Sequence, residues 1–190
     1  DVVIVVAYGK ILPETFLNIE NINFINIHAS LLPKWRGAAP IQRSIMKIIP
    51  KLDAGPVMMQ SKVKILKETN FEDLSNKLSK LGAKMIIDSL DLLENNKANF
   101  TNQNDNEASY AKKIKKDESK VNWGEKAKFI IAKINALNPN PGSWFEYNGT
   151  RLKVIKAIEI DRKGKPGEIL DNKFTIACFE NAIQILEIQK

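Results

Sequence analysis

The sequence VVIVVAYGKILPETFLNIENINFINIHAS covers residues 2–30 and passes from a strand pattern to a helix pattern and back. Residues 2–7 are a mostly β-branched run, which is typical of a strand covered on both faces of a parallel sheet. Residues 12–19 favour a short helix that begins near a proline. Residues 24–28 form a second apolar run, and no hairpin turn separates the two strands. This order predicts a βαβ unit and therefore an α/β fold with a parallel sheet.

The remainder of the first half continues with three predicted elements. Residues 40–46 favour a helix, and residues 57–66 alternate like a strand. Residues 71–94 have apolar side chains at helical spacing and follow Asn70, a residue type preferred at helix N-caps. Around residues 45–47 the helical pattern passes into a strand-like one without a turn residue, which indicates that a connection is missing there.

The C-terminal part of the chain has a different pattern. Residues 95–109 are polar and rich in asparagine, as in a linker between domains. Asn148-Gly149 predicts a two-residue hairpin, and short strands are predicted at residues 174–179 and 182–188. Several short strands after a linker predict a small β-barrel. We therefore expect a first domain, a linker and a second domain at residues 1–95, 96–115 and 116–190.

Composition limits the classes of protein to which the chain can belong. Of the 190 residues, 44% are apolar, which suffices for a packed core. No apolar stretch approaches the ~20 residues of a membrane-spanning helix. The single cysteine excludes an intramolecular disulfide framework and a Cys-rich zinc site, so we expect no metal centre and a reducing, cytoplasmic location. The opening residues lack the basic region of a signal peptide.

The net charge of +7 is unevenly distributed along the chain. Residues 1–109 contain 13 basic and 12 acidic side chains, whereas residues 110–190 contain 16 basic and 10 acidic ones. Such a surplus in a small domain favours a polyanionic partner, because basic side chains that neutralise phosphates release condensed counterions. A genome that favours lysine everywhere explains the same counts without any partner.

The candidate catalytic residues lie after the second predicted strand, where open α/β sheets bind their ligands. Asn26 and His28 are two positions apart and therefore share one face of an extended segment. An amide and an imidazole side by side offer one ligand a hydrogen-bond donor and a titratable proton carrier. Asp53 follows a later apolar run, and a carboxylate beside an imidazole fixes its orientation. From the residues alone, a structural histidine with a hydrogen-bond partner is the more frequent alternative.

Four motifs resemble those of the folate-dependent formyltransferases and occur in the same order. They are AYGKILP at residues 7–13, INIHASLLPKWRGAAPIQRSI at 25–45, LDAGPVM at 52–58 and LNPNPGSW at 137–144. The asparagine, histidine, SLLP and aspartate resemble the family in general. The WRGAAPIQ continuation is similar to the branch of the family that acts on initiator tRNA. The resemblance extends over nearly the whole chain.

The resemblance implies a partial Rossmann-like formyltransferase domain followed by a smaller OB-like β-barrel domain that binds tRNA. It implies transfer of the formyl group of 10-formyltetrahydrofolate to the α-amino group of methionyl initiator tRNA, for translation initiation. We expect a monomer without membrane contact. The residues that match the family's catalytic positions are Asn26, His28 and Asp53. The residues that match its tetrahydrofolate-contacting loop are Ser30, Leu31, Leu32 and Pro33.

These residue types suit the implied reaction. An amine attacks the formyl carbon, and a tetrahedral oxyanion develops before the folate nitrogen departs. Asn26 can donate a hydrogen bond to that oxyanion, and His28, held by Asp53, can add a second donor and carry a proton. Either His28 or Asp53 can accept the proton of the attacking amine, and the sequence leaves both open.

The chain departs from the family pattern in two places. It begins in the middle of the expected sheet, without the first βαβ units, and it lacks a loop and part of a strand after Ile45. We expect both parts to belong to the protein, since a half-sheet would expose strand edges. A protein that truly lacked them would fit a different hypothesis, a non-enzymatic OB-type nucleic-acid binding module.

Two further features leave alternatives open. Arg36 can contact the tRNA acceptor end or be a surface arginine. A basic run can contact a polyanion or belong to a solvated linker; it comprises Lys112, Lys113, Lys115 and Lys116. A second enzymatic hypothesis keeps the folate chemistry but replaces tRNA by a small amine, such as a sugar nucleotide or glycinamide ribonucleotide. The basic C-terminal part and WRGAAPIQ argue against that acceptor.

Overall fold

The computed structural model describes residues 1–8, 10–46 and 53–190, which form two compact units. Unit 1 comprises Asp1–Pro40, Ile49–Val63 and Lys77–Lys112, and unit 2 comprises Ile41–Ile48, Lys64–Asn76 and Lys113–Lys190. Most of the predicted linker thus belongs to unit 1. Among the described residues, no helix combines the length and the apolar character needed to cross a lipid bilayer.

Unit 1 contains the predicted strand–helix–strand segment. Strand β1 (Val2–Val6) pairs in parallel with strand β2 (Asn23–Ile27), and helix α1 (Glu14–Leu17) lies between them in the chain. The prediction of an α/β fold with a parallel sheet is therefore confirmed. Burial of β1 on both faces is wrong for the described residues, where β2 is its one paired neighbour. The exposed fractions range from 37% to 59% at Val2, Val3, Ile4 and Val6.

Two helices follow in the chain, α2 (Pro40–Met46) and α3 (Phe71–Glu94), both at the predicted residues. Asn70 is the N-cap of α3, since its Oδ1 accepts the backbone N–H of Asp73 at 2.8 Å. A Cβ on Gly82 would lie 3.2 Å from the Ile27 side chain, so a glycine lets α3 approach β2 closely.

The prediction of a strand over residues 57–66 is wrong. The segment makes only an isolated bridge, between Val57 and Thr101, among the described residues. Alternating side chains show that one face of a segment is apolar, but a strand also needs a neighbouring strand to pair with. The missing connection predicted around residues 45–47 falls at the end of α2, and residues 47–52 lie outside the described residues.

Unit 2 is built on helix α4 (Ala127–Leu137) and an antiparallel sheet in the order β3-β4-β6-β5. The strands are β3 (Ser143–Tyr147), β4 (Thr150–Ile160), β5 (Thr175–Ala177) and β6 (Ala182–Gln189). The predicted hairpin is confirmed, with left-handed φ angles of 48° at Asn148 and 72° at Gly149. The register between β4 and β6 shifts around Ile155, and such irregularities curl a sheet.

The core of unit 2 lies between α4 and one face of this curled sheet. Fully buried side chains come from both layers, namely Ile130, Ile134, Val154, Ile176 and Ile183. Burial of each such side chain stabilises the fold by about 1.5–3 kcal/mol. Cys178 belongs to the same core, and burial raises the pKa of its thiol to about 11, so it is an apolar filler rather than a reactive thiol.

Candidate active site

His28 directly follows β2, at the carboxyl end of the parallel strand pair. Its side chain is only 9% exposed, and both ring nitrogens face polar groups of unit 1. Nδ1 lies 2.9 Å from Ser30 Oγ, and Nε2 lies 3.0 Å from Asp53 Oδ2. The structure therefore brings together two of the three predicted catalytic side chains, which are 25 positions apart in the chain.

The hydroxyl of Ser30 contacts both His28 and the backbone of Lys34. Its single proton points to the carbonyl oxygen of Lys34, 2.6 Å away. A hydroxyl that donates to Lys34 can accept a hydrogen bond from Nδ1 at 2.9 Å. Nε2, the other ring nitrogen, faces Asp53.

Asp53 is held in an unusual backbone conformation, with φ at +64°. Its Oδ2 accepts the backbone N–H of Gly37 at 2.7 Å and lies at ion-pair distance from His28 Nε2, although the ring N–H is not aligned for a straight hydrogen bond. The contact with His28 is the largest influence on the pKa of Asp53 and lowers it; burial opposes this, and the Gly37 N–H lowers it further. Asp53 is thus a carboxylate poised to stabilise a charged imidazole.

Position 37 requires glycine for its backbone conformation and for lack of space. Its φ is +112°, and a Cβ would lie 2.9 Å from the carbonyl oxygen of Ala111. Two backbone hydrogen bonds fix the neighbouring Arg36, one to the carbonyl of Ser109 at 2.9 Å and one from the N–H of Ala111 at 2.6 Å. The N–H of Gly37 consequently points at Asp53.

Asn26 lies in β2, opposite Val5 of β1, and is exposed. Its side-chain amide has no hydrogen-bond partner among the described residues, so its donors are open to a ligand. Because Asn26 precedes His28 by two positions at the end of a strand, strand alternation places the two on the same face.

The loop matched to tetrahydrofolate contacts is half-buried, and comprises Ser30, Leu31, Leu32 and Pro33. Its backbone is tied to other parts of unit 1. Gln60 Nε2 donates to the carbonyl of Leu32 at 2.6 Å, and the N–H of Ser109 donates to the carbonyl of Pro33 at 3.2 Å. The hydroxyl of Ser30 faces inward to His28 rather than outward to a ligand.

Arg36 lies in the interior of unit 1, and its contact with the tRNA acceptor end stays a prediction. It is 2% exposed, so it is not a surface arginine, and its guanidinium is engaged within unit 1. Nη2 pairs with Asp105 Oδ1 at 2.8 Å, and Nε donates to Gln103 Oε1 at 3.0 Å. Tyr110 completes the surroundings, with its ring 5.8 Å from the guanidinium carbon.

Three residues of this site were not predicted from the sequence: Gly37, Gln60 and Gln103. The glycine after an arginine in WRGAAP was the one available signal, since glycine often marks a left-handed backbone. Gln103 lies in the asparagine-rich segment whose polar composition predicted only a linker. Within residues 1–8, 10–46 and 53–190, no three His, Cys, Asp or Glu side chains come together as metal ligands.

Replacing His28 by alanine should raise the pKa of Asp53, because His28 is the largest influence that lowers it from 3.8. Stabilisation from this pair is fully present above the unfolded-state pKa and is lost as the pH falls through the lower folded-state pKa. An NMR titration of the Asp53 carboxyl carbon in wild type and His28→Ala measures the change. Identical titrations would mean that the two side chains do not interact in solution.

Comparisons with known proteins identify the family. The formyl transferase family model matches residues 1–90, and the model of the formyl transferase C-terminal domain matches residues 113–190. A methionyl-tRNA formyltransferase of Brucella canis is 40% identical over 205 residues, which cover all of this chain and 67% of that protein. This chain belongs to the methionyl-tRNA formyltransferase family. The resemblance inferred from the four motifs is thereby confirmed.

Other members of the methionyl-tRNA formyltransferase family are similar over the same extent. The protein of that name from Pelagibacter ubique is 46% identical over 202 residues, which cover all of this chain and 65% of that protein. A relative from Bradyrhizobium diazoefficiens is 38% identical over 205 residues, which cover all of this chain and 66% of that protein. The chain thus spans just under two thirds of the length of these curated relatives.

Solved structures share the formyltransferase fold at lower sequence identity. HypX from Aquifex aeolicus in complex with tetrahydrofolic acid has a TM-score of 0.75 and 19% identity, over 100% of this chain and 36% of that one. An N-formyltransferase from Helicobacter canadensis, in complex with folinic acid and dTDP-3-aminofucose, has a TM-score of 0.71 and 18% identity, over 94% of this chain and 78% of that one. At these identities the likeness shows the fold alone.

Proposed function

We propose that this protein transfers the formyl group of 10-formyltetrahydrofolate to the α-amino group of methionyl initiator tRNA. The observation that carries the proposal is the His28–Asp53 pair, 3.0 Å apart at the carboxyl end of β2, with the open amide of Asn26 two residues before His28. The name of the curated relatives supports the same reaction. A cytoplasmic location belongs to this proposal, since tRNA is charged and used in the cytoplasm.

The residues of the site fit a folate co-substrate. Bound 10-formyltetrahydrofolate supplies a formyl carbon on a nitrogen that can leave as an amine. Leu31, Leu32 and Pro33 are half-buried and leave apolar surface for a flat ring. Ser30 would contact the folate through its backbone, because its hydroxyl is engaged by His28 and Lys34.

Each catalytic side chain has one role in this proposal. The amide of Asn26 donates a hydrogen bond to the formyl oxygen, where negative charge develops. The His28–Asp53 pair takes up the proton of the attacking amine and returns it to the departing nitrogen, so one C–N bond forms as another breaks. Asp53 orients and stabilises the charged imidazole. The lowered pKa of Asp53 keeps it a carboxylate beside the imidazole.

Unit 2 has the features expected of the part that binds tRNA. Lys113, Lys115 and Lys116 of the basic run are exposed. An OB-like barrel is part of the proposal, supported by isolated bridges that extend both edges of the curled sheet: Lys120 with Trp144 of β3, and Ile169 with Ile176 of β5.

The test of the acceptor compares three amines with the full-length protein and 10-formyltetrahydrofolate. We expect formylation of methionyl initiator tRNA at a much higher kcat/KM than of elongator methionyl-tRNA or of an amino sugar nucleotide. Comparable or preferred formylation of the sugar nucleotide would replace the tRNA by a small-amine acceptor. No formylation of any of them would favour a non-enzymatic binding module.

The salt dependence of tRNA binding tests the basic run separately. Replacing Lys113, Lys115 and Lys116 by glutamine should weaken binding and reduce the slope of log K against log salt by about two to three, since each phosphate contact contributes about 0.7–0.9. A matched control replaces three exposed lysines of α3, Lys77, Lys80 and Lys84, by glutamine and carries the same change of charge. Equal slopes for the two triple variants would show that the basic run makes no special contact.

A further inference from the structure

Gln103 makes three hydrogen bonds that converge on the loop containing Asp53. Its Nε2 donates to the carbonyl oxygen of Asp53 at 3.1 Å and to that of Gly55 at 2.6 Å. Its Oε1 accepts from Arg36 Nε at 3.0 Å. One amide group therefore uses both donors and its acceptor on groups around a predicted catalytic residue.

The carbonyls that Gln103 binds belong to a segment that needs support. Asp53 has a φ of +64°, in the left-handed region that costs energy for residues other than glycine. Such a conformation persists when its surroundings over-determine it. Gln103 holds the backbone at Asp53 itself and two residues later, while the N–H of Gly37 holds the carboxylate at 2.7 Å.

Arg36 orients the amide of Gln103. The guanidinium is buried and offers only donors, so it faces Oε1 and leaves Nε2 for the two carbonyls. Asp105 fixes the guanidinium from its other side at 2.8 Å. Arg36 and Gly37 are consecutive, so a single backbone segment supports Asp53 twice, directly through the N–H of Gly37 and indirectly through Gln103.

We propose that Gln103 is a positioning residue for catalysis, which holds the backbone of Asp53 so that its carboxylate faces His28 Nε2. The expected effect on catalysis rests on the proposed function. The positioning of Asp53 rests only on the hydrogen bonds of Gln103. Gln103 acts through Asp53 and does not itself touch the reacting atoms. Loss of its donors should let the Asp53 carboxylate move away from His28 without a change in the surfaces that bind substrate.

Two substitutions separate this role from a merely structural one. Gln103→Met keeps the length of the side chain and removes all three hydrogen bonds. Gln103→Glu keeps an acceptor for Arg36 but cannot donate to the carbonyls of Asp53 and Gly55. Gln189→Met, at the exposed end of β6 in unit 2, is the matched control for the chemistry of the substitution.

We expect both Gln103 variants to lower kcat by about 10- to 100-fold, because small displacements of catalytic groups have effects of this size. The KM values for the folate and the tRNA should change by no more than a few-fold, and Gln189→Met should match wild type. If Gln103 only completes the surroundings of Arg36, Gln103→Glu will keep the wild-type kcat, and the proposal is then wrong.

A second measurement does not depend on activity. The backbone amide NMR signal of Gly37 reports its hydrogen bond to Asp53 Oδ2, and it should shift and exchange faster with solvent in Gln103→Met and Gln103→Glu. An unchanged signal in the folded variants overturns the inference. If the wild-type protein formylates none of the acceptors, the proposed function fails by that result alone, and the Gly37 signal still decides whether Gln103 positions Asp53.

Discussion

Replacement of His28 by alanine should lower kcat for formyl transfer by about 10²–10⁴-fold, the usual contribution of a positioned proton carrier. His28 is the single histidine of the chain, and its ring is held between Ser30 and Asp53. No other imidazole of the chain can replace it. The affinity for tRNA should stay within a few-fold of wild type, since the side chain is 9% exposed and offers little surface to a large ligand. Single-turnover rates and a filter-binding titration measure the two quantities.

Two conservative variants separate proton transfer from hydrogen bonding at this position. Asparagine can place its amide near the site of Nδ1, and glutamine near the site of Nε2. Neither amide can carry a proton, so both variants should stay close to His28→Ala in rate. A His28→Gln rate near that of wild type would show that a donor at Nε2 suffices and would remove the proton-transfer role.

Replacement of Asn26 by alanine should lower kcat by about 10²–10³-fold, the typical cost of removing one donor to a developing oxyanion. The expectation rests on the open side-chain amide of Asn26 at the end of β2. The KM for the folate should change little, because the bond to the oxygen strengthens only as charge develops. Steady-state kinetics in which the concentrations of both substrates are varied measures kcat and KM separately.

The same strand offers a matched control for this prediction. Asn23→Ala removes the same amide from the first residue of β2, which lies on the opposite face of the strand from Asn26. It should keep the wild-type kcat. Equal losses in the two variants would indicate damage to the strand rather than loss of an oxyanion donor, and a wild-type rate in Asn26→Ala would remove the donor role.

The elements predicted correctly are those in which neighbouring residues supply the interactions. The Asn70 cap begins α3 by accepting the N–H of Asp73, and Asn148-Gly149 supplies two left-handed residues for the hairpin. Both interactions span three residues or fewer, so the local sequence contains all that they need. Residues 57–66 show the opposite case, since a strand depends on a partner that the local pattern does not contain.

The candidate site also has features that the sequence predicted and features that it did not. Asn26, His28 and Asp53 were predicted from their places after apolar runs and from the family motifs, and the pairing of His28 with Asp53 agrees with that expectation. The burial of Arg36 and the hydrogen bonds of Gln103 were not predicted. Both depend on contacts across about 50 to 70 positions of chain, which composition and periodicity do not encode.

The amino-acid sequence by itself determined the strand–helix–strand segment, the long helix, the hairpin and membership of a formyltransferase family, because these follow from residues near one another or from motifs matched one by one. Only the tertiary structure decided that Ser30 turns its hydroxyl inward to His28, that the N–H of Gly37 holds the Asp53 carboxylate and that Gln103 holds its backbone. The physical reason is that a hydrogen bond needs a distance and a direction, and for distant residues both are set by how the chain folds.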